Sequence, residues 1–121
     1  MNKKYEKYLK AWKKREREIK AQAAEIRQDA LRTARRLSRI LARDFGARRV
    51  VLVGSALKPE KFGKNSDIDL AVEGIRDELF FKAYGTCLMK SSYSVDLIDT
   101  ENASELMKKN ISQGKVLYEK Q

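Results

Sequence analysis

Residues 49–72 read RVVLVGSALKPEKFGKNSDIDLAV, and the way this stretch is divided decides the fold. Arg49-Val-Val-Leu-Val53 is a short β-branched run, the mark of a buried strand. It stops at Gly54-Ser55. The next segment, ALKPEKFGKN, is polar and broken by Pro59 and Gly63, so it reads as a loop. SDIDLAVEG then resumes as a second strand, with Asp67, Asp69 and Ala71 on one face and Ile68, Leu70 and Val72 on the other. Two carboxylates therefore share one face of a strand whose opposite face is held on a core.

Downstream, RDELFFKAYGTCLMK (76–90) has near-helical spacing of Leu79, Phe80, Ala83 and Leu88. SVDLID (94–99) predicts a third strand, ASELMKKNISQG (103–114) a helix ending at Gly114, and KVLY (115–118) a terminal strand or tail. Upstream, residues 2–45 contain neither Gly nor Pro and are rich in Ala, Lys, Arg, Glu and Leu. Tyr5, Leu9, Trp12, Ile19, Ala23, Ile26, Ala30, Leu37 and Ile40 recur at helical intervals, and Gly46 supplies a stop. One unbroken helix here would be about 65 Å long at 1.5 Å per residue, against a diameter of about 25–30 Å for a domain made of the rest. Its far half must project, fold back through a break near Gln28-Asp29, or pack on another chain. The expected fold class is α/β (α+β): a small mixed sheet with helices on one face, preceded by a long N-terminal helix. The expected division is a basic assembly or partner-binding helix at 1–45 and a catalytic domain at 46–121.

Composition narrows the chemistry. The 121 residues suit one domain. No apolar run approaches the roughly 18 residues of a membrane span, and the N-terminus lacks a secretory signal, so a cytoplasmic protein is expected. There is one cysteine, Cys87, and no histidine, which excludes an internal disulfide, a Cys–His nucleophile and a histidine-based zinc site. Cys87 reads as a small buried hydrophobe. The net charge of +10 is uneven: residues 1–49 carry 17 Lys/Arg against 6 Asp/Glu, and residues 50–121 carry 10 against 11. The basic arm could meet nucleic acid, an acidic protein surface or only water.

Neighbouring carboxylates repel unless a cation neutralises them. Hard oxygen donors without His or Cys suit magnesium or manganese. Asp96, flanked by apolar Val95 and Leu97, reaches the same site if its strand lies beside the second. Three carboxylates can bridge two ions ~4 Å apart, the arrangement used for in-line nucleotidyl displacement. Gly54 would let the backbone pass close to a phosphate, and the Ser55 hydroxyl can donate to it.

In this order and spacing, VLVGSALKPEKFGKNSDIDLAVEG resembles the signature of the minimal nucleotidyltransferases of the DNA polymerase beta-like superfamily, and SVDLID resembles their third-carboxylate strand. The resemblance covers roughly residues 45–118. It implies magnesium-dependent transfer of a nucleoside monophosphate, AMP from ATP being the expected case, to a hydroxyl with release of pyrophosphate. By the same resemblance, Gly54, Ser55, Lys58 and Ser66 would hold the nucleotide. Asp67, Asp69 and Asp96 would be catalytic and would bind two Mg2+ ions, or Mn2+, with Asp96 also helping to deprotonate the acceptor. Many relatives carry Ala-Arg-Gly after the Gly-Ser; here the run is Ala56-Leu57-Lys58-Pro59, with lysine in place of the usual arginine and proline in place of the usual glycine, which keeps the charge without the bidentate fork and stiffens the loop. The resemblance also implies a toxin–antitoxin setting, with a HEPN-type toxin as partner and one of its tyrosines as acceptor. A second reading is an antitoxin-like module that neutralises its partner by contact alone. A third is a basic nucleic-acid-binding or modifying protein, against which the arm has few aromatic side chains. A homodimer through the N-terminal helix is the other assembly expected.

Overall fold

The computed structural model describes residues 3–54 and 66–121. Ser55 and Lys58, two of the residues expected to hold the nucleotide, lie outside them, as does most of the loop before Ser66.

The glycine- and proline-free segment forms one helix, α1 (Lys3–Phe45), unbroken through Gln28 and Asp29. The Ala47 N–H donates back to the Leu41 carbonyl at 3.0 Å, closing its last turn beyond Gly46. Only the second half of α1 is covered. Ala30, Leu31, Ala34, Leu37, Leu41 and Phe45 are buried in the main core, at the three- and four-residue steps of a single face. Towards the N-terminus the same stripe is bare, and Tyr5, Tyr8, Trp12 and Ile19 are each more than half exposed.

The sheet has four strands, β1 (Arg49–Val53), β2 (Ile68–Glu73), β3 (Val95–Asp99) and β4 (Lys115–Glu119), in the order β3-β2-β1-β4. β1 runs antiparallel to both β2 and β4, and β2 runs parallel to β3. The parallel pair needs a crossover, which α2 (Asp77–Met89) provides. A one-turn 3₁₀ helix (Thr100–Asn102) follows β3, and then comes α3 (Glu105–Ser112), where the Ser104 hydroxyl accepts from the Met107 N–H. KVLY is thus part of a strand, and it occupies the sheet edge beyond β1.

Alternation along the strands separates two apolar layers. Val50 and Leu52, Ile68, Leu70 and Val72, and Val95 and Leu97 face α1 and α2 in the main core. Val51, Val53 and Ala71 face the other way, where Ile111 and Met107 of α3 cover them. The expectation of helices on one face therefore holds for α1 and α2 and is corrected for α3. The physical reason is that β1 is apolar on both faces, and its second face needs its own cover. Cys87 is fully buried in the main core, and burial pushes its thiol up to about 11, as an inert packing residue requires. Among the described residues no helix is long and apolar enough to cross a membrane.

Candidate active site

The acidic residues gather at one end of the sheet, where β1 finishes and β2 and β3 begin. The antiparallel register sets Val53 opposite Asp69, and the parallel register sets Asp69 beside Asp96. The Ile68 N–H donates to the Ser94 carbonyl at 2.8 Å and ties the two strand starts together. Ile68 and Leu70, both fully buried, pin β2 from below, so Asp69 projects from the face opposite the main core. Asp96 is placed likewise between buried Val95 and Leu97. Asp67 and Ser66 lie just ahead of β2, Asp67 in solvent and Ser66 half-buried.

Asp69 feels the charge of both other carboxylates. The Asp69 carboxyl is pushed from 3.8 up to about 6, first by burial, then by the charge of Asp96, then by that of Asp67. Gly54 closes over the same group. Its φ is +80°, a region that L side chains rarely adopt, and a methyl group there would run into Oδ2 of Asp69. Glycine at 54 thus satisfies two demands at once, the turn out of β1 and the close passage of backbone over an acid.

No pattern in the sequence marks Tyr84 as part of the site. This residue of α2 packs its ring against the main core and edge-on to Phe80, with ring centroids 6.3 Å apart. Its hydroxyl reaches past the edge strand and donates to Oδ1 of Asp96 at 2.9 Å. Burial raises the Tyr84 pKa, and the hydrogen bond to Asp96 and the charge of that residue add to the rise. Which residue of α2 meets Asp96 depends on where the crossover helix comes to rest, and no local pattern encodes that.

A divalent cation suits these donors in kind: they are hard oxygens, mutually repelling and set on rigid strands. Among the described residues, however, no three His, Cys, Asp or Glu side chains are gathered as a bound metal ion requires. The surface concavities described along α1, one around Ile26, Asp29 and Tyr93 and another among Arg32, Arg36, Arg39 and Arg43, include none of these acids.

Residues 35–121 match the family described as Polymerase beta, Nucleotidyltransferase. No curated protein matches the chain. Among solved structures, a chain of a toxin–antitoxin with AMP-PNP is similar with a TM-score of 0.60 and 26% identity, covering 72% of this chain and 74% of that one. A chain of the toxin–antitoxin MntA-HepT is similar with a TM-score of 0.56 and 22% identity, covering 72% of this chain and 70% of that one, a likeness of fold.

Proposed function

The chain belongs to the polymerase beta nucleotidyltransferase family, and from that premise we propose that it transfers a nucleoside monophosphate, AMP from ATP in the expected case, to a hydroxyl acceptor with release of pyrophosphate. The observation that carries the reading is the placing of Asp69 beside Asp96, with Gly54 closed over Asp69. In this reading Gly54 and Ser55 would bind the triphosphate, with Lys58 and Ser66 adding polar contacts. Asp67, Asp69 and Asp96 would hold magnesium, which would supply positive charge against the triphosphate and the leaving pyrophosphate. Asp96, the more exposed of the paired strand acids, takes the proton of the acceptor hydroxyl. Incubating the protein with labelled nucleoside triphosphates, magnesium and cell lysate tests the proposal. Absence of any labelled acceptor under all four nucleotides would refute it.

Nucleotide with magnesium should raise the melting temperature, because a ligand bound only by the folded state adds about 2.7 kcal/mol at a hundred times its dissociation constant. With a chelator the shift should shrink strongly. Equal shifts with and without metal would remove the acids from the nucleotide site.

We place the acceptor on a protein partner of the toxin class. The toxin–antitoxin with AMP-PNP, similar to this chain in fold and at 26% identity, supports that choice. A HEPN-type toxin, with a tyrosine as the modified group, is the expected identity. The bare half of α1 is the proposed contact surface, for that partner or for a second copy. Covering Trp12 and Ile19 would be worth roughly 1.5–3 kcal/mol each. Sedimentation of the full chain, alone and with the candidate toxin, should show a complex that Trp12→Ala with Ile19→Ala weakens. A monomer that also ignores the toxin would exclude this role for α1. The same surface supports the second reading, neutralisation by contact without catalysis, which the nucleotide-shift measurement separates from the first.

A further inference from the structure

We propose that the chain carries its own acceptor: the Tyr84 hydroxyl, bonded to Asp96, receives a nucleoside monophosphate in cis. The inference rests on the transferase reading above, and in particular on Asp96 as the base. A general base must lie within hydrogen-bonding reach of the proton it removes. Among the described side chains, Tyr84 meets that condition, its hydroxyl donating to Asp96 Oδ1 at 2.9 Å. The geometry is not that of a loose surface tyrosine. Ala83 and Cys87, both fully buried, fix α2 against the sheet, and the ring is packed on the core and against Phe80. The hydroxyl is therefore delivered to the acid by the fold, without any partner chain.

Tyr93 provides an internal comparison. Its hydroxyl also donates to an aspartate, Oδ2 of Asp29, at 2.7 Å. That aspartate stands on α1 beside Arg32, 3.5 Å away, far along the chain from Asp67, Asp69 and Asp96. A tyrosine–carboxylate bond alone is therefore no site. What sets Tyr84 apart is that its carboxylate is the register neighbour of Asp69, the acid over which the Gly54 backbone closes.

The step balances without any further reagent. The Tyr84 oxygen forms a bond to the α-phosphorus of the nucleoside triphosphate, the bond from that phosphorus to the bridging oxygen of the β-phosphate breaks, and pyrophosphate leaves. The phenolic proton passes to Asp96. The product is a tyrosyl phosphodiester that can no longer donate to Asp96 and leaves a bulky anion beside the acids. Modification is thus limited to one event per chain and leaves the acceptor place filled.

The test uses the full chain alone with magnesium and each of the four nucleoside triphosphates, read by intact mass and by fragmentation. The expected result is a gain of one nucleoside monophosphate on Tyr84, at a rate per chain that does not change with protein concentration. Asp96→Asn and Tyr84→Phe should each lose the adduct, and Tyr93→Phe should keep it. Fragmentation of the unaltered chain locates the adduct even if Tyr84→Phe fails to fold. An adduct on another residue, or a rate that rises with protein concentration, would overturn the proposal. So would an unmodified chain in a mixture where a lysate protein becomes labelled, an outcome that leaves the transferase reading standing. No label on the chain or on any lysate protein would refute both.

Discussion

If the proposed function holds, Asp69→Asn should lower nucleotidyl transfer by on the order of 10³-fold or more, since it would remove several kcal/mol of transition-state stabilisation where Asp67, Asp69 and Asp96 would share a cation. The same change stabilises the metal-free protein at alkaline pH. The sign follows from the carboxyl's rise from 3.8 to about 6 on folding, caused first by burial and then by Asp96 and Asp67. A carboxyl that binds its proton more tightly when folded carries no penalty below its unfolded pKa. The penalty grows as pH rises from about 4 and is complete above about 6. A shift of that size would correspond to at most ~3 kcal/mol, and water around a partly exposed group reduces it to about 1 kcal/mol. Asp69→Asn should therefore melt a few degrees above the unaltered chain at pH 8 with chelator present and level with it at pH 4. Equal melting at both values would show that Asp69 is not held against its neighbours' charge. Transfer within tenfold of the unaltered chain would remove Asp69 from the metal site.

Gly54→Ala should damage both fold and chemistry, and Gly46→Ala should damage only the fold. Both glycines have positive φ, +80° and +76°, so both alanines pay backbone strain of ~1–3 kcal/mol. Around Gly46 there is nothing within 4 Å of the added methyl group, whereas at Gly54 it meets Asp69, with Oδ2 in direct collision and Cγ at 3.3 Å. The difference between the two variants isolates the displacement of Asp69. Transfer should fall at least a hundredfold further for Gly54→Ala than its loss of stability explains, because a small misplacement of a catalytic group carries a penalty of that order. Comparable activity in the two variants would mean that the passage of Gly54 over Asp69 serves packing alone.

The strands around the acids were legible because each carries its own signal. RVVLV ends at a glycine, and SDIDLAV alternates acid with aliphatic, so Ile68, Leu70 and Val72 fall on the buried face in the sequence as in the fold. The pairing of Asp69 with Asp96 was conditional on the two strands being neighbours, and the parallel register supplies that condition. The cover over Val51 and Val53 was misjudged even though the signal was present: five consecutive apolar or amphipathic residues leave a strand no solvent face. Two other features had no local signal. The apolar stripe of α1 keeps one period from Tyr5 to Ile40, so periodicity cannot reveal that cover begins near Ile26; the width of the sheet decides that. Tyr84 meets Asp96 across twelve residues, through a crossover whose resting phase is a property of the packed domain.

That partial cover of α1 gives a single helix two thermodynamic characters. From Ala30 to Phe45 its backbone hydrogen bonds open only if the main core opens, so they share the stability of the whole domain. From Lys3 to about Ala23 side-chain packing adds almost nothing, and the helix rests on propensity and on its junction with the anchored half. The junction serves as a standing nucleus: the first turn, the costly one, is already formed, and further turns add at little gain or loss. Such an arm unwinds from its free end and re-forms in about a microsecond or less. Whatever captures it would gain the ordering of several turns at a small entropic charge, while the domain behind it need not change shape at all.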